Sequence, residues 1–257
     1  MYVPSRKLAL IIEYEGTRYC GFQLQANVPT IQREIEQALK KVTGEKIRII
    51  GAGRTDSGVH AKNQVVSFTV STRLALDTLI KALNFYLPDD IAVRSGNIAR
   101  MNFTARRNAI SREYRYTILN NPTRSPLARN FAYYIQTPLS VTAMNSACSF
   151  IIGRHDFASF TSLLKESTVR IVSKAKVTRE NDYVFFDIIA NSFLPKQVRC
   201  IVGSLIRIGL GKLSISEFQN ILAAKQPGLA APVAPAHGLC LMKVYYPEYE
   251  FIRGNSK

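Results

Sequence analysis

The segment Lys46–Lys62 reads KIRIIGAGRTDSGVHAK, and the element that follows its glycines decides between two kinds of fold. A strand over Lys46–Ile50 is predicted to lead into a glycine-rich loop, where the backbone can turn tightly and a large ligand can approach closely. A dinucleotide-binding fold needs a third glycine three residues after Gly53, at the start of a helix. That position is Asp56, whose carboxylate would repel a pyrophosphate, and the residues after it have the pattern of loop and strand. The segment therefore favours strand–loop–strand over a dinucleotide site.

Asp56 has two interpretations that the spacing alone leaves about even. Aspartate often caps its own backbone in a tight hairpin, which would make the residue structural. The loop also carries Arg54 and His60, so Asp56 could instead be a functional carboxylate in a ligand site.

The apolar periodicity on both sides of this segment predicts an α+β protein, with antiparallel strands and helices packed on one face of the sheet. The halves are predicted to be residues 1–107 and 108–257, with the boundary near Ala105–Ser111. Predicted strands cover Lys7–Tyr14, Gln64–Val70, Ile91–Val93, Tyr114–Leu119, Val169–Thr178, Tyr183–Ala190 and Leu239–Tyr246. Predicted helices begin after Thr30, near Leu76, after Ser140, near Lys196, and at the capping box Ser214–Glu217.

The charge balance of the 257 residues points to a polyanionic partner. Thirty-four Lys and Arg face eighteen Asp and Glu, which gives a net charge of +16. The segment Arg94–Arg129 holds eight arginines and a single acid, Glu113, with Phe103, Tyr114 and Tyr116 between them. Arginine matches phosphate geometry, and unpaired RNA bases stack on aromatic rings, so the strip favours RNA. The alternative is a solvated face near a domain hinge.

Several classes of protein are not indicated. The longest apolar stretches, including Cys200–Leu210, are shorter than the roughly 20 residues of a spanning helix, and the N-terminus has no signal-peptide pattern. The spacing of the cysteines and histidines fits neither a disulfide framework nor a zinc site, so we expect reduced thiols in a cytoplasm and no metal. The cysteines are Cys20, Cys148, Cys200 and Cys240.

Arg199 is unusual in its position, because it interrupts the start of an otherwise apolar helix. A buried arginine without a carboxylate partner costs several kcal/mol, and acids are scarce in this chain. Asp56 and Asp187 are plausible partners. The alternative is that Arg199 reaches solvent from the helix end.

These motifs resemble those of the TruA family of tRNA pseudouridine synthases, in the same order over nearly the whole chain. One departure is Pro195-Lys196-Gln197, where a His-Met pair is expected before Val198-Arg199. The resemblance is carried by Tyr14–Thr17, Tyr19–Gln23, Gly53–Ala61, Arg112–Tyr116, Gly153–Phe157, Asn191–Leu194, Val198–Leu205 and Ala234–Leu239.

The resemblance implies that the enzyme turns uridine into pseudouridine in the anticodon stem-loop of tRNA, after the base has left the stack. It implies that Asp56 is the nucleophile, that Arg199 orients it, that Tyr114 packs against the flipped uracil, and that Arg54 holds the flipped nucleotide or fills its gap. Tyr114 could instead be a core aromatic, with Tyr116 in its place.

The resemblance also implies one fused, largely antiparallel sheet with a central basic cleft between the two similar halves. It implies that the protein is a homodimer and that its partner is tRNA. No association with a membrane is expected. The reaction involves no redox change and no activated water, so no cofactor is expected. A binding-only RNA protein would share the charge, but it would have no use for an acid in a basic cleft.

Overall fold

The chain divides into two units in the computed structural model, which describes residues 4–162, 167–230 and 232–247 and the backbone of 251–252. Unit 1 is Met1–Ile110 with Leu241–Lys257, and unit 2 is Ser111–Cys240. The sequence-based division differs in giving the end of the chain to the second half. The returning strand joins unit 1 through hydrogen bonds from Asn63 Nδ2 to the Met242 carbonyl (2.7 Å) and from Ile110 N to the Tyr245 carbonyl (2.8 Å).

The strands of unit 1 are β1 (Arg6–Tyr14), β2 (Ile50–Gly51), β3 (His60–Val70), β4 (Ile91–Ala99), β10 (Leu239–Tyr245, in unit 1 from Leu241 onward) and β11 (Phe251–Ile252). They form largely antiparallel pairs around β1, the central strand. Leu8, Leu10 and Ile12 of that strand are fully buried, as the alternation of the sequence predicts. The strand pairs with β3 through Leu10–Val66 and with β4 through Leu10–Gly96, in the order β11-β4-β1-β3-β10, and β2 pairs with β3.

The α-helices among the described residues of unit 1 are α1 (Ile31–Thr43) and α2 (Leu76–Tyr86). The predicted cap of α1 is confirmed, because the Thr30 side chain accepts a hydrogen bond from Arg33 N. The predicted end is confirmed too, since Gly44 has the left-handed conformation (φ 75°).

The predicted strand over Lys46–Ile50 is wrong except at its last residue. Ile47 and Ile49 point inward, as a strand would place them. However, side chains of α1 take up the polar groups of the Ile49 backbone: its N–H donates to Glu36 Oε1 (3.1 Å), and its carbonyl accepts from Gln32 Nε2 (3.4 Å). Because these groups are already satisfied, this stretch has no need of a strand partner.

The strands of unit 2 are β5 (Ser111–Asn120), β6 (Tyr133–Ile135), β7 (Gly153–Asp156), β8 (Val169–Glu180) and β9 (Tyr183–Ala190). They pair in the order β5-β9-β8-β7, mostly antiparallel, with β6 parallel to β5. The predicted turn between β8 and β9 is confirmed at Asn181, whose φ of 52° is tolerated by asparagine.

In the described part of unit 2 the α-helices are α3 (Val141–Cys148), α4 (Gln197–Gly209) and α5 (Ile215–Ala224). The capping box Ser214–Glu217 is confirmed at α5. At α4, where the family pattern is not followed, Lys196 is left-handed and Gln197 Oε1 accepts from Leu194 N (2.8 Å). In this chain a glutamine side chain therefore fixes the entry to α4.

The predicted α+β class with largely antiparallel strands is confirmed within each unit. The basic cleft between the halves stays a prediction. Among the described residues, no helix is long and apolar enough to cross a membrane.

Candidate active site

The loop between β2 and β3 is held by the segment that follows β1. The Tyr14 hydroxyl is hydrogen-bonded to Thr55 Oγ1 (2.8 Å), and Phe22 N donates to the Thr55 carbonyl (3.1 Å). On the other side of Asp56, Ser57 Oγ donates to the Tyr19 carbonyl (3.1 Å). Both chain neighbours of Asp56 are therefore tied to a second segment of unit 1.

Asp56 itself is half-buried, at the start of a tight turn. Val59 N donates to the Asp56 carbonyl (3.2 Å), and Gly58 takes the left-handed conformation (φ 78°) that the turn requires. Main-chain groups and a glycine thus close this turn. A strand, β3, follows it, so no helix N-terminus is available here for a pyrophosphate, and the dinucleotide alternative is excluded.

Two glycines allow the close approach of the two segments. A Cβ at Gly16 would lie 2.1 Å from the Val59 carbonyl oxygen. A Cβ at Gly21 would lie 2.7 Å from the Thr55 carbonyl oxygen, and φ at Gly21 is +90°. Any larger residue would push the Asp56 loop out of place.

His60, the first residue of β3, is buried and adds a further link to the same segment. Its Nδ1 accepts a hydrogen bond from Gly16 N (3.0 Å). A ring nitrogen that accepts from an N–H carries no hydrogen itself, so neutral His60 holds its hydrogen on Nε2.

Asp90 holds the segment that follows β1 at Arg18 and Tyr19. It accepts from Arg18 Nε (2.7 Å) and from the Tyr19 hydroxyl (2.6 Å). Burial alone would raise the pKa of Asp90, but these hydrogen bonds outweigh it, and the pKa lies below its ordinary value. Burial and the bond to Asp90 raise the pKa of Tyr19, which keeps its hydroxyl a donor.

Arg54 is exposed and lines a pocket of about 250 Å³ beside the loop. Phe22, Gln32, Arg48 and Arg106 contribute to the same wall. The guanidinium is thus available to an incoming ligand on the side where the loop meets solvent.

In unit 2, β5 places Tyr114 and Tyr116 on one face, and both are buried. The Tyr114 ring packs edge-on against Phe193, with centroids 5.2 Å apart. The Tyr116 hydroxyl donates to the Pro235 carbonyl (2.8 Å), and burial raises its pKa. Tyr116 is therefore the core member of the pair.

Arg199 lies half-buried in the first turn of α4. Its Nε donates to the Ala234 carbonyl (2.8 Å), and Ala234 N donates back to the Arg199 carbonyl (3.1 Å). A Cβ at Gly203 would lie 1.8 Å from the Pro232 carbonyl oxygen, so this glycine lets the closing loop pack against α4. The same loop accepts hydrogen bonds from Arg199 at the Ala234 carbonyl and from the Tyr116 hydroxyl at the Pro235 carbonyl.

Asp187, one of the two partners considered for Arg199, is engaged elsewhere. It lies opposite Arg115 on the neighbouring strand. Arg115 Nε and Nη2 donate to its two oxygens at 2.7 and 2.9 Å. Such a bidentate pair uses both carboxylate oxygens, and it raises the pKa of Arg115.

The predicted site residues thus form two groups. Asp56 and Arg54 share one loop of unit 1, and Tyr114 and Arg199 belong to unit 2. Sequence reasoning missed the supporting roles of Tyr14, Thr55 and Asp90; Tyr14 and Thr55 lie two residues from Gly16 and Gly53, and Asp90 had no local signal. No group of three or more His, Cys, Asp or Glu that could hold a metal occurs within the residues described.

Comparison with known proteins gives a consistent result. A family described as tRNA pseudouridine synthase matches residues 10–103 and 147–247. The tRNA pseudouridine synthase A of Thermoanaerobacter sp. (strain X514) is 41% identical over 94% of this chain and 100% of its own length. The protein of the same name from Caldicellulosiruptor bescii is 42% identical over 94% and 100%. That of Roseiflexus castenholzii is 44% identical over 95% and 92%.

Among solved structures, the archaeal box H/ACA sRNP Nop10-Cbf5 complex contains a chain that matches with a TM-score of 0.34 and 9% identity. The match covers 77% of this chain and 44% of that one. Similarity at this level supports no conclusion about function.

Proposed function

This chain belongs to the tRNA pseudouridine synthase family, whose members are isomerases acting on tRNA, and we propose that it converts uridines of the anticodon stem-loop into pseudouridine with Asp56 as the nucleophile. We further propose that it works as a homodimer in the cytoplasm.

The reaction is balanced without any external reagent. The bond between ribose C1′ and uracil N1 breaks, the base rotates, and a bond forms from C1′ to C5. The hydrogen on C5 leaves as a proton and N1 gains one, so there is no net oxidation. A carboxylate can carry such a reaction by forming a temporary covalent bond, to the sugar or to the base.

The placement of Asp56 carries the proposal. Asp56 is half-buried in a loop, and hydrogen bonds fix the residues on both sides of it, in a chain of net charge +16. A nucleophile must be held in a fixed geometry to react efficiently. A protein that only bound RNA would gain nothing from fixing an acid that repels phosphate.

The other predicted residues have roles that suit their surroundings. The ring of Tyr114, which is 8% exposed, is proposed to stack on the flipped uracil. Such stacking is worth roughly 1–3 kcal/mol per base. Arg199, which a backbone bond holds in place, is proposed to orient Asp56. The exposed Arg54 is proposed to hold the flipped nucleotide or to fill the gap that it leaves.

Mapping pseudouridine tests the proposed function. Unmodified tRNA transcripts incubated with the protein are expected to gain pseudouridine in the anticodon stem-loop and nowhere else. Transcripts incubated without the protein are the control. Product found only outside the stem-loop would contradict the proposed substrate site, and no product at all would contradict the activity.

Substitution of His60 tests whether the link to Gly16 positions the Asp56 loop. His60→Leu removes the acceptor and leaves a buried N–H unsatisfied, which costs about 1–3 kcal/mol, so we expect turnover to fall about tenfold. His60→Asn is the matched control, because its Oδ1 occupies the place of Nδ1 and should restore most of the rate. Equal losses in the two variants would show that the acceptor is not what matters. Turnover and tRNA affinity are measured for both.

A further inference from the structure

A groove rich in cations runs beside α1 in unit 1. It consists of two adjoining pockets, of about 340 and 250 Å³, that share Leu24 and Arg48 in their walls. We call it the α1 groove. Its cationic lining residues are Arg33, Lys40, Lys46, Arg48, Arg54 and Arg106.

The acid among the lining residues of the α1 groove does not cancel this charge. Glu36 forms an ion pair with Arg48 (3.2 Å) and accepts hydrogen bonds from Gln32 Nε2 (2.7 Å) and Ile49 N (3.1 Å). These contacts fix the Glu36 carboxylate in the wall of the groove. They also attach Ile49, just before β2, to α1. The residues that line the two pockets include six cations and one acid, so the net charge of the lining is positive and a polyanion is the complementary ligand.

The position of Arg54 connects the α1 groove to the proposed reaction. Arg54 lines the smaller pocket and stands two residues before Asp56 in the same loop. Lys40 and Lys46 line the larger pocket and are exposed. The groove therefore leads from the loop of the nucleophile to a second basic region on the same unit.

We propose that the α1 groove binds the sugar–phosphate backbone of the tRNA strand that leads away from the nucleotide at Asp56. The proposal rests on the proposed function, because it takes Asp56 as the point where the strand enters. Phosphates are bound by the cations of the groove, and ribose packs against its apolar wall at Leu24 and Ile47. This surface fixes the register of the RNA, as backbone contacts do in general, without reading its sequence.

Removal of Lys40 and Lys46, the two lysines that line the larger pocket, tests the proposal. In Lys40→Gln/Lys46→Gln, each lost phosphate contact removes about 0.7–0.9 from the slope of log affinity against log salt concentration. We expect the slope to become shallower by about 1.5 and the Kd for tRNA at low salt to rise about tenfold. The measurement is equilibrium binding of unmodified tRNA to the full-length protein over a series of salt concentrations.

Arg73→Gln/Lys81→Gln is the matched control. It removes the same charge from unit 1 at two exposed positions outside the α1 groove, and we expect the wild-type salt slope. Melting curves of all variants confirm that each is folded. The proposal is overturned if the groove variant and the control have the same slope and Kd.

Binding and catalysis are separated in this design. If the wild type binds tRNA and forms no pseudouridine, the proposed function fails, while the difference between the two double variants still decides the role of the groove. If pseudouridine forms and the two variants bind alike, the groove assignment alone fails.

Discussion

Asp56→Asn is expected to abolish pseudouridine formation, lowering turnover by at least about 10³-fold, while the affinity for tRNA changes little. The amide has nearly the shape of the carboxylate but does not act as a nucleophile. The bonds that fix Thr55 and Ser57 do not involve the carboxylate, so we expect the loop to keep its position. Tritium release from tRNA labelled at uridine C5 measures turnover directly.

Asp89→Asn provides the control for this substitution. Asp89 is an exposed acid of the same unit, so the exchange makes the same change of net charge away from the loop. We expect wild-type turnover from it. Retained tritium release in Asp56→Asn would remove Asp56 from the role of nucleophile, and a large loss of tRNA affinity would show that its main contribution is to binding.

The regular elements were predictable where local chemistry decides the structure. The N-cap at Thr30, the left-handed Gly44 and the capping box at Ser214 depend only on residues three or four positions away. The strand predicted over Lys46–Ile50 failed because Gln32 and Glu36 of α1 bind its backbone instead. The return of β10 to unit 1 depends on pairing between residues such as Asn63 and Met242, which no local pattern reveals.

The candidate site was predictable as a motif and not as a structure. Residue types and spacing left Asp56 evenly divided between a structural and a functional role, and the resemblance to the family singled out Asp56 and Arg54. The bond from Tyr14 to Thr55 joins residues 41 positions apart, and nothing in either stretch indicates the other. The asymmetry between Tyr114 and Tyr116 was likewise invisible, because alternation places both on one face, and the contacts of Tyr116 with Pro235 and of Tyr114 with Phe193 join residues far apart in the chain.

Substitution of Gly21, in the segment between β1 and α1 that supports the Asp56 loop, is expected to give the second large loss of turnover. Gly21→Ala introduces a Cβ that would lie 2.7 Å from the Thr55 carbonyl oxygen, at a backbone φ of +90°. The left-handed conformation costs alanine roughly 1–2 kcal/mol, and overpacking adds about 1–3 kcal/mol. A stable domain tolerates that loss, but the loop can relieve the contact only by moving Thr55, the neighbour of Asp56. Because displacement of a reacting group by about 1 Å can cost 10²-fold, we expect turnover to fall about 100-fold.

Gly44→Ala separates the two causes. Gly44 also has a positive φ (+75°), but a Cβ there meets nothing within 4 Å, so this variant bears the conformational cost without the contact. We expect both variants to melt at lower temperature than the wild type and only Gly21→Ala to lose turnover, measured under conditions where each is fully folded. Equal turnover in the two variants would mean that the loop accommodates the methyl group without moving its carboxylate. The difference between them therefore measures how closely catalysis depends on the fit between the loop of Asp56 and the segment that supports it.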